Sequence, residues 1–264
     1  MIEHSFAQPQ RQSALGFVIY IGRNMRAIIS LLLSFFVTTQ NEINNSSADT
    51  LNYQQKYGLR IGGDLGRIIR TVVDEDYTGF EINGDYRISE DFYIAGELGT
   101  EERTIKNNFL DVTSTGSYFK AGVDYNTYTN WLNMQNLIFF GGRVGLSSFS
   151  QTLNEFTIYD TNREFFNQPY TEAPNQEFKG LSAIWSELIV GIKAELFNNL
   201  YLGLNMQLKF MITEDEPSGF ENLYVPGFNR TYDSGRIGIG FGYNLSYLIP
   251  IYKKDKKVVL EKTQ

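Results

Sequence analysis

The clearest structural signal in this chain of 264 residues is the stretch Phe80 to Ile88, which reads FEINGDYRI. Apolar or aromatic residues occupy every second position except Gly84, and the residues between them are Glu81, Asn83, Asp85 and Arg87. Side chains on a β-strand point alternately to opposite faces. The stretch therefore predicts a strand with one apolar face and one face that carries charges of both signs.

The same alternation returns in seven other segments, whose apolar faces include Leu59, Ile94, Val123, Val144, Val190, Leu204 and Phe241. We take the first of these segments to run through Leu65. Eight alternating segments of about ten residues, separated by turns, are typical of an outer-membrane barrel. The predicted fold is all-β: an eight-stranded antiparallel up-and-down transmembrane β-barrel preceded by a signal peptide.

The connections between these segments alternate between short and long. Residues 89–91 and 198–199 read as tight turns, whereas 67–77, 100–117, 152–179 and 212–235 read as longer loops. Outer-membrane barrels have short periplasmic turns and long outer loops. We predict an N-terminal extension and signal peptide at 1–40, a polar periplasmic segment at 41–56, the barrel at 57–252 and a periplasmic C-terminal tail at 253–264.

A soluble lipocalin-like barrel would show the same alternation with its apolar face inward. The polar face here is rich in glycine, for example Gly122, Gly145 and Gly240. Eight strands enclose an interior only just wide enough for side chains, so small residues suit that interior and bulky ones suit lipid. We place a girdle of interfacial aromatic residues at the periplasmic end, formed by Tyr86, Tyr125, Tyr243 and Tyr247.

An apolar run at residues 27–37, AIISLLLSFFV, follows Arg23 and Arg26 and precedes small polar residues that end at Gln40. This order is typical of a secretory signal peptide with cleavage near Gln40. The run is shorter than the roughly 20 residues of a spanning helix, and an anchored helix is the alternative. Met25, just before the run, is an alternative start of the protein to Met1, and we favour it.

The composition excludes several classes of function. The chain has no Cys, which excludes disulfides, thiolate metal sites and thiol nucleophiles. Its one His, His4, lies before the predicted mature start, so the mature chain has no imidazole for a catalytic triad or metal site. The net charge of −7 does not suit a nucleic-acid partner. We expect no cofactor and no bound metal.

Three segments carry a family resemblance: 80–88 (FEINGDYRI), 221–229 (ENLYVPGFN) and 246–254 (SYLIPIYKK). They resemble the domain-of-unknown-function family 6048, an uncharacterised family of Gram-negative envelope proteins. The resemblance covers about 57–254 and implies an outer-membrane barrel, without assigning functional residues. The segment 240–247 also resembles the assembly signal of outer-membrane proteins, which implies the barrel assembly machinery as a partner, although the chain continues to Gln264.

Charged side chains on the inward face are the first candidate site. They are Arg60, Asp64, Glu81, Asp85, Arg87, Glu97, Lys120, Asp124, Arg143, Glu187, Lys193, Glu195 and Lys209. Because the two signs nearly balance and buried charges must be paired, we interpret them as an ion-pair network that fills the lumen. A proton or ion path, or a carboxylate pair for acid–base catalysis, is the alternative.

Aromatic residues of the two longest loops are the second candidate site. They are Phe165, Phe166, Tyr170, Phe220, Tyr224, Phe228 and Tyr232. They either bind a partner or glycan outside the cell, or pack on one another and cap the barrel mouth. The sequence leaves both readings open.

The sequence as a whole predicts a non-enzymatic outer-membrane protein with a closed lumen. Its expected role is structural, or surface binding through the long extracellular loops. The expected partners are outer-membrane lipid, the barrel assembly machinery and an unidentified extracellular ligand. The alternatives are a narrow channel for ions or small solutes and, after it, a lipid-acting barrel enzyme.

Overall fold

A computed structural model gives the fold of residues 52–128, 135–158, 170–217, 219, 221–230 and 236–257. All of these residues belong to one compact unit, Leu51–Val259.

The predicted signal peptide lies outside the described residues. In the described part of the chain the elements are β1 Asn52–Asp64, α1 Leu65–Val73, β2 Tyr77–Arg87, β3 Phe92–Lys106, β4 Leu110–Asn126, β5 Leu137–Ile158, β6 Tyr170–Glu172, β7 Gln176–Phe197, β8 Leu200–Glu214, β9 Tyr224–Val225, β10 Asn229–Arg230 and β11 Ile237–Lys257.

Eight of these strands form a closed antiparallel ring. The order around it is β1, β2, β3, β4, β5, β7, β8 and β11, and pairing of β11 with β1 closes the ring. The short strand β6 adds to β5, and β9 pairs with β10 outside the ring. The predicted eight-stranded up-and-down barrel is confirmed. We call the end with the short 88–91 and 198–199 connections the turn end and the opposite end the outer end.

The two faces of the wall are reversed relative to a water-soluble protein. Outward side chains such as Ile94, Val190 and Phe241 are exposed, whereas inward charged side chains such as Glu187 and Lys209 are buried. Burying apolar surface is the main driving force of folding in water. A wall that is apolar outside and charged inside is stable where lipid surrounds it, so the barrel is transmembrane.

The first strand is shorter than predicted, and a helix follows it. β1 ends at Asp64, and Leu65 begins α1 instead of continuing the strand. Asp64 caps the helix, because its side chain accepts hydrogen bonds from the backbone N–H groups of Gly66 and Arg67. The predicted loop 67–77 is therefore largely helical. No helix among the described residues is both long and apolar enough to cross a bilayer.

Helix α1 lies where the sheet of the barrel wall is interrupted. β1 pairs with β11 as far as Asp64 opposite Asn244, and β2 and β11 both continue farther toward the outer end. The hydroxyl of Thr71 on α1 accepts a hydrogen bond from the Gly79 N–H and donates one to the Gly79 carbonyl. The helix thus satisfies backbone groups of β2 that a neighbouring strand would otherwise pair with.

Tyr243 was predicted in the aromatic girdle of the turn end, and this placement is wrong. It pairs with Leu204 within β8, whereas Tyr247 pairs with Leu200 at the start of that strand. The Tyr243 ring lies against Gly66 at the start of α1, where a Cβ on Gly66 would be 3.0 Å from the ring. Tyr243 therefore belongs to the interrupted part of the wall.

Candidate functional site

Charged side chains from seven strands and α1 meet inside the barrel in one connected network. Its centre is Lys120, which is fully buried. The Lys120 ammonium lies 2.9 Å from Glu97, 3.5 Å from Glu187 and 3.9 Å from Glu81. Glu187 also lies 3.7 Å from Lys209. The contacts between Lys120 and the three carboxylates replace part of the hydration that these charges lose on burial.

The network continues from this centre toward the turn end. Arg143 lies 3.8 Å from Glu97 of the central cluster and 2.7 Å from Asp124. Lys193 contacts Asp124 at 3.7 Å and a further carboxylate, Asp85, at 2.6 Å. Asp85 also lies 3.4 Å from Arg60 of β1. The Arg60 guanidinium stacks over the rings of Tyr201 and Tyr93.

Toward the outer end the network reaches Arg67, which the sequence analysis placed in a loop. Arg67 projects from α1 and contacts Glu81 at 3.1 Å, Asp64 at 3.8 Å and Glu101 in a short ion pair. The helical spacing of Leu65, Ile68, Ile69 and Val72 after an N-capping Asp is the sequence signal that could have revealed this helix.

Two predicted network residues lie apart from it, at the turn end. Arg87 stacks over Tyr57 and donates hydrogen bonds to the backbone carbonyls of Ser89 and Glu90. Glu195 pairs with Lys56 at 3.4 Å and accepts a hydrogen bond from the Asn199 backbone N–H. Both side chains fix the tight turns, so they form the floor of the barrel.

Two apolar clusters inside the barrel were not predicted. The cluster nearer the turn end consists of Tyr93, Leu137, Phe139 and Ile189. The one nearer the outer end consists of Tyr118, Phe149, Leu181, Ala183, Trp185, Met211, Val225 and Phe228. Glycine makes room for these rings: a Cβ on Gly145 would lie 2.2 Å from Trp185. The glycine-rich inward face thus reflects the space that large inward side chains need.

The segment 221–229, one of the three family-like segments, folds into the outer mouth of the barrel. Its Val225 and Phe228 are fully buried in the apolar cluster. Gly227 has a φ of 83°, a conformation that favours glycine, and its N–H donates to Glu101 at 2.6 Å. Lys209 donates to the Gly227 carbonyl at 2.7 Å. We call 221–229 the plug loop.

The sequence left open whether the aromatic loop residues bind a partner or cap the barrel mouth, and the plug loop decides this for two of them. Tyr224 and Phe228 are both buried, so they cap the mouth and do not form an exposed binding surface. Phe165, Phe166, Phe220 and Tyr232 lie outside the described residues, as does the side chain of Tyr170. For these five residues surface binding stays a prediction.

Two cavities adjoin the network. One within the lumen, next to Asp85, Glu97 and Lys193, has a volume of about 30 Å3, which is large enough for water. The other, of about 690 Å3, lies at the outer end beside α1. Within the described part of the chain, no group of three or more His, Cys, Asp or Glu side chains is arranged to hold a metal ion.

The larger cavity, which we call the wall cavity, is lined by more cations than carboxylates. The cations are Arg67, Arg70, Arg103, Lys106 and Lys209, and the carboxylates are Asp64, Asp76 and Glu101. Arg70 and Arg103 share one carboxylate outside the lining, that of Asp74, at 3.3 and 2.5 Å. Burial acts to raise the pKa of Asp74, but the hydrogen bonds and charges of the two arginines outweigh it and lower the pKa below its ordinary value.

Comparison with known proteins identifies the family of this chain. No curated protein matches the chain. Among solved structures, the crystal structure of Ail, the attachment invasion locus protein of Yersinia pestis, aligns with 10% identity and a TM-score of 0.36, covering 75% of this chain and 99% of that one. A family model described as Domain of unknown function (DUF6048) matches residues 23–254, so the chain belongs to that family, as the three quoted segments predicted.

Proposed function

We propose that this protein is an outer-membrane barrel with a closed lumen, which acts in the cell envelope as a structural or surface-binding protein. The observation that carries the closed lumen is the continuous filling of the interior. The ion-pair network occupies the middle, an apolar cluster lies on each side of it, and the plug loop enters the outer mouth. We interpret the network as filling of the barrel interior, because each network carboxylate contacts a cation, as buried charges require.

The length of two strands supports a role outside the membrane. β5 and β7 have 22 residues each, about twice the 9–11 residues that a spanning strand needs. Both strands continue past the membrane at the outer end, where the pairing of Leu153 with Gln176 extends their ladder. In this extension β5 pairs with β4 as far as Phe156 and with β7 as far as Leu153. Such an extension is suited to presenting the 159–169 connection to a partner, since binding residues are often held on loops above a rigid scaffold.

The proposed location brings two other partners with it. The apolar band of the wall requires membrane lipid around it, and outer-membrane barrels reach their place through the assembly machinery. The alternation of apolar and aromatic residues along 240–247 is the feature of this chain that would serve as the assembly signal. We assign no catalytic role to the network carboxylates.

The closed lumen predicts an absence of steady ion conduction. Reconstituted in planar bilayers, the protein should give no reproducible unitary currents, because ion pairs, apolar clusters and the plug loop fill the described interior. A porin reconstituted in parallel controls for insertion, and folded protein in the bilayer preparation is counted on gels by its heat-modifiable band. Reproducible unitary currents would overturn the closed lumen and favour a narrow channel.

A further inference from the structure

The barrel wall has an opening on one side, at the outer end. β1 stops pairing with β2 at Gly63 and with β11 at Asp64. β11 continues as Ile237–Tyr243 with pairing to β8 on one side only in the described part of the chain. On its other side α1 approaches β11 near Tyr243, where the Tyr243 N–H donates a weak hydrogen bond of 3.4 Å to Asp64. Beyond Tyr243 the edge of β11 borders the wall cavity.

The wall cavity passes through the barrel wall at this edge. Its lining includes Gly240 and Lys209, which face the lumen, and also Ile239, Phe241 and Tyr243, which face outward and are exposed. A cavity that touches both faces of a strand at an unpaired edge connects the interior with the exterior. The outward side chains at this edge, Ile239 and Phe241, belong to the exposed apolar face of the wall, so lipid can reach the cavity from the side.

The chemistry of the two ends of this cavity differs. Outside, α1 and β11 carry exposed apolar side chains, which we call the apolar lip: Ile69, Val72, Val73, Ile239 and Phe241. In the cavity lining, Arg70 and Arg103 share the carboxylate of Asp74. Two guanidinium groups held by one carboxylate retain hydrogen-bond donors and positive charge for a further anion. A site with apolar side chains on its outer side and guanidinium groups in its lining is complementary to an amphiphile with an anionic headgroup.

A buried hydroxyl supplies a second, independent observation. Tyr224 of the plug loop lines the wall cavity and is only 3% exposed, yet its hydroxyl has no hydrogen-bond partner among the described residues. A buried polar group without a partner costs about 1–3 kcal/mol. A bound ligand with an acceptor oxygen would remove that cost, and the plug loop holds the hydroxyl in place for it.

We propose that the wall cavity is a lateral binding site for an anionic membrane lipid with a phosphate headgroup. The headgroup enters between α1 and β11, its oxygens accept hydrogen bonds from Arg70, Arg103 and the Tyr224 hydroxyl, and the acyl chains stay outside on the apolar lip. Guanidinium groups match phosphate oxygens because their planar donors bind two oxygens at once. Arg67 and Glu101, which form an ion pair, also line the cavity and belong to the ion-pair network that fills the lumen.

The first experiment measures lipid retention by native mass spectrometry of the folded protein in detergent, with dioleoylphosphatidate as probe. The Tyr224→Phe variant removes only the unpartnered hydroxyl, and Arg70→Gln with Arg103→Gln removes the two guanidinium groups. Lys179→Gln with Lys254→Gln is the matched control, since both side chains are exposed and lie away from the cavity. We expect roughly tenfold weaker retention in the arginine variant, a several-fold loss in Tyr224→Phe, and no change in the control.

Two comparisons separate the sources of the phosphate and the effects of misfolding. Millimolar inorganic phosphate should not displace the lipid, and dioleoylglycerol, which lacks the phosphate, should not be retained. Tyr224→Phe should unfold in lipid-free detergent at the same denaturant concentration as the wild type or at a higher one, because it removes a buried hydroxyl that has no hydrogen-bond partner among the described residues. Equal retention by the wild type and Tyr224→Phe would overturn the proposal, and displacement by inorganic phosphate would overturn its lipid part.

A second experiment locates the acyl chains, using the absence of native cysteine. Phe241→Cys places a fluorophore on the lip, and Phe119→Cys places it on the far wall, where the native side chains are 65% and 45% exposed. Phosphatidate with spin-labelled acyl chains, added to phosphatidylcholine nanodiscs, should quench the label at 241 at least twofold more than the label at 119. Spin-labelled phosphatidylcholine should quench both alike. Equal quenching by phosphatidate would contradict the proposed entry.

Discussion

Replacing Lys120 by methionine is expected to destabilise the folded barrel by about 3–5 kcal/mol. The change removes the cation that lies between Glu81, Glu97 and Glu187, and those carboxylates stay buried with too little compensating charge. The measurement is urea unfolding in lipid vesicles, followed on gels by the loss of the heat-modifiable folded band. Lys179→Met is the matched control: its ammonium is also 2.9 Å from a carboxylate, Glu177, but the side chain is 73% exposed against 0% for Lys120.

The control should lose no more than about 1 kcal/mol, because surface ion pairs contribute little. A second variant tests whether the buried charge is the cause. Lys120→Met with Glu97→Gln neutralises the carboxylate that lies 2.9 Å from Lys120, so it should cost at least about 1 kcal/mol less than the sum of the two single changes. Strict additivity of the two changes would show that these groups are not paired in the folded protein.

The strands, and which of their side chains point outward, could be predicted from the sequence because every strand of a lipid-exposed wall needs apolar outward side chains. In β8, each outward position from Leu200 to Ile212 is apolar, and the alternate positions include Asn205, Gln207 and Lys209. This alternation can be recognised within a single strand, without knowing which strands are neighbours in the sheet. The ring closure of β1 with β11 then follows from the even number of strands and the need to leave no free edge in lipid.

The pairing inside the lumen was not readable in the same way. The sequence supplies the inward charges, but that Lys193 meets Asp85 across the barrel depends on the three-dimensional arrangement of β7 and β2. The inward rings of Phe139 and Trp185 do not follow the rule that inward positions are polar. In the structure they fill the lumen between the charged groups, because a network of charges alone does not fill a barrel interior of this width.

The helix α1 was missed because two patterns overlap at its start. Leu65 fits the strand alternation that begins at Leu59, and it is also the first residue of a helical apolar spacing that continues at Ile68, Ile69 and Val72. Asp64 before that spacing is an N-cap signal and decides between the two patterns. This local choice has a global result, because ending β1 at Asp64 leaves the wall open at the place where the lipid site is proposed.

Replacing Met206 by arginine tests the facing of the wall. Met206 points outward at the middle of β8, opposite the outward Val190 and Phe241 of the neighbouring strands. Arginine on the lipid face near the membrane midplane costs roughly 2–4 kcal/mol. Met206→Arg should therefore lower the folded fraction in vesicles, measured as loss of the heat-modifiable band and as a lower urea midpoint.

The matched control is Phe109→Arg, in the β3–β4 connection at the outer end. The two native side chains are similarly exposed, 52% for Met206 and 57% for Phe109, so exposure alone predicts the same result for both. The membrane makes them differ, because Phe109 lies beyond the apolar band, where a surface substitution changes stability by about 0.5 kcal/mol at most. Equal effects of the two changes, or refolding of the wild type as a soluble monomer in buffer without detergent, would contradict a lipid-facing wall, since only lipid contact at residue 206 penalises the new charge there.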